Sequence, residues 1–202
     1  MESSHNSKQN LILLLIGSGL ILVAIAAFLL QAHQDDVALS KSQEKPQTIS
    51  ALAVPLAVDF PVPDIQLTDL QGHPVAFSDY KGQVILYNAW ATWCPPCKQE
   101  MPTLEAYYQA HKQDGLVVIA IEDGEPFAEV AAYVKEMGIT FPVWPDLKWV
   151  ATEAFGINNL PTSYVIDRAG IARLTWRGAI TRAVLEQYVT PLLFKESAWT
   201  QK

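Results

Sequence analysis

Residues 83–97 read Q-V-I-L-Y-N-A-W-A-T-W-C-P-P-C, and they decide the fold. The run Gln83–Trp90 is apolar, of strand length, and rich in β-branched and aromatic side chains. After three intervening residues come Cys94 and then Cys97, the only cysteines in a chain of 202 residues. From the second cysteine to about Lys112 the pattern predicts a helix. The thiols therefore fall at a strand-to-helix junction, with Cys94 at or just ahead of the helix N-terminus. There the macrodipole and free backbone N–H groups favour a thiolate. Pro95 and Pro96 remove two of those donors and restrict the turn.

Loop-closure entropy argues against a mere staple. Closing the four residues 94–97 constrains the unfolded chain by roughly 2 kcal/mol, against about 3 for a fifteen-residue loop. Adjacent thiols suit exchange instead, because the second resolves a mixed disulfide formed by the first. A structural zinc site usually takes four ligands. The chain has no second C-x-x-C, and His5, His33, His73 and His111 stand at no C-x-x-H or H-x-x-x-H spacing. Neither a metal nor an organic cofactor is expected. The net charge of −7 excludes the basic footprint of a nucleic-acid binder.

Leu11–Leu30 is an uninterrupted uncharged run of helix-spanning length. Twenty helical residues at about 1.5 Å each cover the roughly 30 Å of a bilayer core. A cleaved signal peptide is the competing reading, with Ala24-Ile25-Ala26 as its small-residue motif, but that motif lies inside the run. A retained anchor fits the length better. The expected layout is a cytoplasmic tail over 1–10, a transmembrane anchor over 11–30 and an extracytoplasmic tether over 31–56. A folded domain over 57–194 and a C-terminal tail over 195–202 complete it.

W-C-P-P-C after an apolar strand, with L-P-T-S-Y at 160–164, resembles the thioredoxin superfamily. The fuller set, F-S-D-Y-K-G-Q-V-I-L-Y-N-A-W-A-T-W-C-P-P-C and S-Y-V-I-D-R-A-G, is similar to its membrane-tethered TlpA/ResA/CcmG (DsbE-like) branch across about 57–194. The resemblance implies an α/β, thioredoxin-like fold: a central mixed β-sheet flanked by helices, with an N-terminal β-hairpin extension. Ile65–Thr68 and Pro74–Phe77, around a turn at Asp69–His73, would form that hairpin.

It also implies roles for single positions. Cys94 would be the exposed attacking thiol and Cys97 the buried resolving one. Pro161 would be a cis-proline beside the active-site disulfide, and Trp93, Pro95, Leu160 and Thr162 would meet substrate. Glu100 stands three residues after the second cysteine, as in ResA-like proteins, where a partly buried carboxylate can exchange protons with the thiol one helical turn earlier. General thioredoxins carry a buried acid six residues before the first cysteine. This chain has Asn88 there, which cannot act as a base, so Glu100 is the better candidate.

The remainder reads as scaffold: a strand at Leu116–Ile121, a helix begun by Pro126, strands at Ser163–Asp167 and Ile171–Trp176, and a last helix capped by Thr181 and ending near Leu193. Trp90 is expected to pack and Trp93 to stand partly exposed. Glu122 and Asp123 are expected in a solvated loop at a strand end.

The implied function is an extracytoplasmic thiol–disulfide oxidoreductase that reduces protein disulfides, such as those of the haem-attachment cysteines of apocytochrome c. A transmembrane thiol reductase of the CcdA or DsbD type would recharge it. The same residues would also serve a dithiol oxidase. Two close thiolates further suit Cu(I) in a non-enzymatic copper-handling or chaperone module.

Overall fold

The computed structural model describes residues 54–194. The expected tails, the anchor over 11–30 and almost all of the tether lie outside them. Among the described residues no helix is long and apolar enough to cross a membrane.

Strand β4 (Val84–Trp90) is the axis of the molecule, with all seven residues buried. It pairs in parallel with β5 (Leu116–Glu122) and antiparallel with β7 (Thr162–Ile166). The six-stranded sheet has the order β1-β8-β7-β4-β5-β6. Here β1 is Leu56–Pro61, β6 is Val143–Pro145 and β8 is Ile171–Arg177. The parallel strands β4, β5 and β6 sit on one side of the sheet and the antiparallel ones on the other, as a mixed sheet with a terminal hairpin requires. The expected N-terminal hairpin forms too: β2 (Gln66–Thr68) pairs antiparallel with β3 (Pro74–Ala76). Strand β1, which no local pattern announced, adds to the far edge by pairing with β8.

A strand buried on both faces divides its side chains by alternation. Val84, Leu86 and Trp90 enter one core with Met101 and Leu104 of helix α1 (Pro95–His111), Val130 of α2 (Phe127–Met137) and Leu185 near the C-terminus. Ile85, Tyr87 and Ala89 enter a second core on the opposite face, with Phe77, Trp144, Phe155 and Ile166. By the same alternation Asn88 and Glu122 project toward the helix-covered face. That parity puts both on the sheet face whose core includes Cys94 and Cys97.

The helix ends follow local chemistry. Gly138, at φ 65°, ends α2 in the left-handed region. A short helix α3 (Val150–Ala154) is held by Asp146, whose carboxylate accepts the Val150, Ala151 and Thr152 N–H groups. The last helix, α4, runs from Arg182 to Phe194 with a π-helical stretch at Leu185–Val189. Thr181 caps it as expected, its hydroxyl accepting the Val184 N–H at 3.4 Å. The Arg168 guanidinium donates to the carbonyls of Leu192 and Leu193 at its other end.

Candidate active site

Cys94 and Cys97 are joined as a disulfide at the start of α1. The helix begins two residues earlier than the sequence pattern suggested, at Pro95, because Pro95 and Pro96 need no acceptor for a first-turn N–H. Cys94 is the N-cap, and its Sγ accepts the Cys97 N–H at 3.3 Å. With two prolines in the first turn, that single N–H is what the helix start offers the sulfur. The next donor, Lys98 N–H, is taken by the Cys94 carbonyl.

The two sulfurs differ less in exposure than the resemblance implied. Cys97 is fully buried, and Cys94, expected to be exposed, is only 3% accessible in this disulfide form. The capping geometry tucks it in, although it still borders a groove of about 500 Å³. Trp93, 63% exposed, forms one lip of that groove together with Pro95 and Pro96. Leu160 and the preceding Asn158 and Asn159 line it too, with Asp123, Thr152 and Ile157. The groove thus brings together Cys94, Trp93, Pro95 and Leu160. Pro161 follows Leu160 across a cis peptide bond and is buried. Thr162 is not among the lining residues. It is buried in β7, and its hydroxyl donates to the Asn159 carbonyl at 2.6 Å, which secures the groove wall from behind. Trp90 packs as expected, fully buried against Tyr133.

Glu100 lies on the buried side of α1 with Cys97, Met101 and Leu104. Its Oε1 accepts from Asn88 Nδ2 at 2.9 Å, and its Oε2 accepts from the Ile180 N–H at 2.8 Å. Burial pushes its pKa from 4.5 up to about 7, against the opposing pull of those two donors. Asn88 also donates to Ser163 Oγ at 2.9 Å, so the carboxyl is tied to both central strands. Near neutrality this side chain can take up or release a proton, one turn from the buried sulfur. Nothing in the sequence pointed to Ile180, since its contribution is a main-chain donor.

Glu122 overturns the expectation of a solvated loop. It is the last residue of β5, fully buried, because the ladder continues through it to Trp90 on one side and Pro145 on the other. Both its oxygens face the Glu125 N–H, at 3.2 and 3.0 Å. Burial, and then a proton shared with the Glu125 carboxylate, lift its pKa to about 8. Asp123 is only partly buried. It accepts the Thr152 hydroxyl at 2.8 Å and faces the groove.

A redox pair capping a helix that leaves the middle of a mixed sheet, beside an open groove, defines the class: a thioredoxin-fold dithiol protein. Comparisons with known proteins narrow it. Residues 58–175 match the AhpC/TSA family. The thiol-disulfide oxidoreductase ResA of Geobacillus kaustophilus is 35% identical over 134 residues, which span 66% of this chain and 77% of that one. A Chlorobium tepidum structure assigned as the thiol:disulfide interchange protein DsbE aligns at TM-score 0.63 and 28% identity, over 67% of this chain and 96% of its own. StoA from Bacillus subtilis aligns at TM-score 0.56 and 25% identity, over 63% and 97%. The chain belongs to the AhpC/TSA family of thioredoxin-like proteins and, within it, to the thiol-disulfide oxidoreductases of ResA and DsbE type.

Proposed function

We propose that the protein is a reductant of protein disulfides, anchored in the cell membrane by residues 11–30 with its catalytic domain on the extracytoplasmic side. The Cys94 thiolate attacks one sulfur of a substrate disulfide and expels the other as a thiolate. Cys97 then attacks Cys94 Sγ, releases the second substrate thiol and leaves Cys94–Cys97 oxidised. Two electrons pass to the substrate, and no further cofactor takes part. Glu100 takes the Cys97 proton as that thiol becomes the nucleophile and returns it when the pair is reduced again. Pro161 shapes the groove, while Trp93, Pro95 and Leu160 receive the substrate strand.

The observation that carries this reading is the buried Glu100 carboxyl, with a pKa of about 7, one turn from a buried resolving sulfur. A relay of that kind is needed when the second thiol has no solvent to take its proton. Haem-attachment cysteines of apocytochrome c are the proposed substrate. A transmembrane thiol reductase of CcdA or DsbD type is the proposed source of electrons.

The reduction potential tests the direction. Strong dithiol oxidants lie at about −120 mV and thioredoxin at about −270 mV. The account expects a value on the thioredoxin side of that range. A potential near −150 mV or above would make the protein an oxidase instead.

A further inference from the structure

Thr92 stands two residues before the attacking cysteine, in the loop between β4 and α1. Its N–H donates to Glu125 Oε2 at 2.7 Å, and its hydroxyl donates to Glu125 Oε1. One carboxylate thus takes both donors of one loop residue. Glu125 in turn is held by Glu122, through its own N–H and through the side-chain hydrogen bond between the two acids. This chain of contacts begins on the rigid end of β5 and finishes at the loop that carries Trp93 and Cys94.

We propose that Glu125 and Glu122 are a positioning pair for the dithiol: the Glu125 carboxylate clamps Thr92, and Glu122 holds Glu125 in place with a shared proton. Neither acid touches the reacting sulfurs. Their work is to keep Cys94 aimed into the groove, above all in the reduced protein, where the disulfide no longer fixes the loop.

The surrounding charges suit a single shared proton. Burial raises Glu125, but the hydrogen bonds from Glu122 and Thr92, together with Lys98 of α1, bring it below the ordinary carboxylate range. Glu122 is pushed the other way, by burial first and then by Glu125 and Asp123. From β6 and the turn after it, the Asp146 N–H donates to the Glu122 carbonyl, while the Asp146 carboxylate is engaged by the first turn of α3. No cation faces Glu122 among these groups. When Glu122 ionises, two carboxylates meet with nothing between them, Glu125 is displaced, and the grip on Thr92 loosens.

The oxidised protein supplies a clean test, because its cysteines do not titrate and the direction of electron flow does not enter. The Thr92 amide proton, followed by NMR from pH 6 to 9.5, is expected to shift with a midpoint near 8. In Glu122→Gln, which keeps a donor for Glu125 but cannot ionise, the same resonance is expected to stay flat. As a functional readout, Glu125→Gln is expected to slow single-turnover reduction of glutathione disulfide at pH 7 at least fivefold. A Thr92 amide that does not titrate in the parent protein, one that titrates equally in Glu122→Gln, or a Glu125→Gln rate equal to the parent's would each overturn the proposal.

Discussion

Asn88 Nδ2 lies 2.9 Å from Glu100 Oε1, joining the central strand to the helix one turn beyond Cys97. The position that carries a buried acid in general thioredoxins here carries the amide that binds one. The acid, Glu100, stands on the helix. Alternation along β4 makes this possible, because it turns Asn88 to the same face as Leu86 and Trp90, where α1 packs.

Asn88→Asp tests that arrangement. It replaces a donor with a second carboxyl at hydrogen-bonding distance from the first, and two such groups cannot both ionise cheaply. The variant should lose about 2 kcal/mol or more of stability at pH 8, and much less at pH 4, where both groups are protonated. Urea unfolding at the two pH values measures the difference. Equal losses at both would mean that the pair is not electrostatically coupled.

The raised carboxyls also set a sign for stability against pH. Glu100 and Glu122 hold their protons to about pH 7 and about pH 8 in the folded protein, but ionise near 4.5 in the unfolded chain. The folded state therefore binds more protons between those values, and stability falls as pH rises through the window. The contribution of these two carboxyls is full below about 4.5 and is lost by about pH 8. For Glu100 the loss is on the order of 3 kcal/mol. Below 4.5 the trend reverses, because Asp69, Glu105, Glu125 and Glu186 have lowered pKa values and give up their stabilising contacts as they protonate. Glu100→Gln should flatten the fall between pH 4.5 and 7. It should also slow release of substrate from the mixed disulfide about tenfold or more. A variant with the parent's pH slope and the parent's release rate would leave Glu100 without the role assigned to it.

Trp93 offers a cleaner separation of binding from folding. The side chain is 63% exposed on the groove lip. Trp93→Ala should raise KM for a peptide disulfide about threefold, with kcat within about twofold and stability within about 0.5 kcal/mol. A large drop in the melting midpoint would show the indole to be packing instead.

Much of this was legible in the sequence because it rests on local pattern. The run from Val84 to Trp90 read as a buried strand, and W-C-P-P-C marked the strand-to-helix junction, although the helix starts two residues sooner, at Pro95. Thr181 and the Asp167–Gly170 turn carried ordinary capping and hairpin signals. What escaped was set by tertiary partners. Strand β1 exists through its pairing with β8, and the three residues of β6 include a proline and follow β5 only by register. Helix α3 is five residues long and depends on the Asp146 carboxylate. Gly124 reads as a loop glycine, yet its φ of +93° and the Trp149 ring 2.8 Å from where a Cβ would sit tie it to a specific contact. Beside it, Glu122 sits in the acidic stretch E-D-G-E, which resembles a solvated turn. Only the ladder from Trp90 to Pro145 buries it. The burial of Cys94 escaped for a similar reason, since the side chain's own role as N-cap draws it inward.

The order of attack at the two sulfurs is tested most directly by trapping. Reduced Cys97→Ser protein is mixed with a peptide disulfide, quenched, and mapped by mass spectrometry. The expected product is a stable mixed disulfide through Cys94, whereas Cys94→Ser forms none and does not turn over. Accumulation of substrate on Cys97 in the Cys94→Ser variant, or turnover without Cys94, would contradict the account.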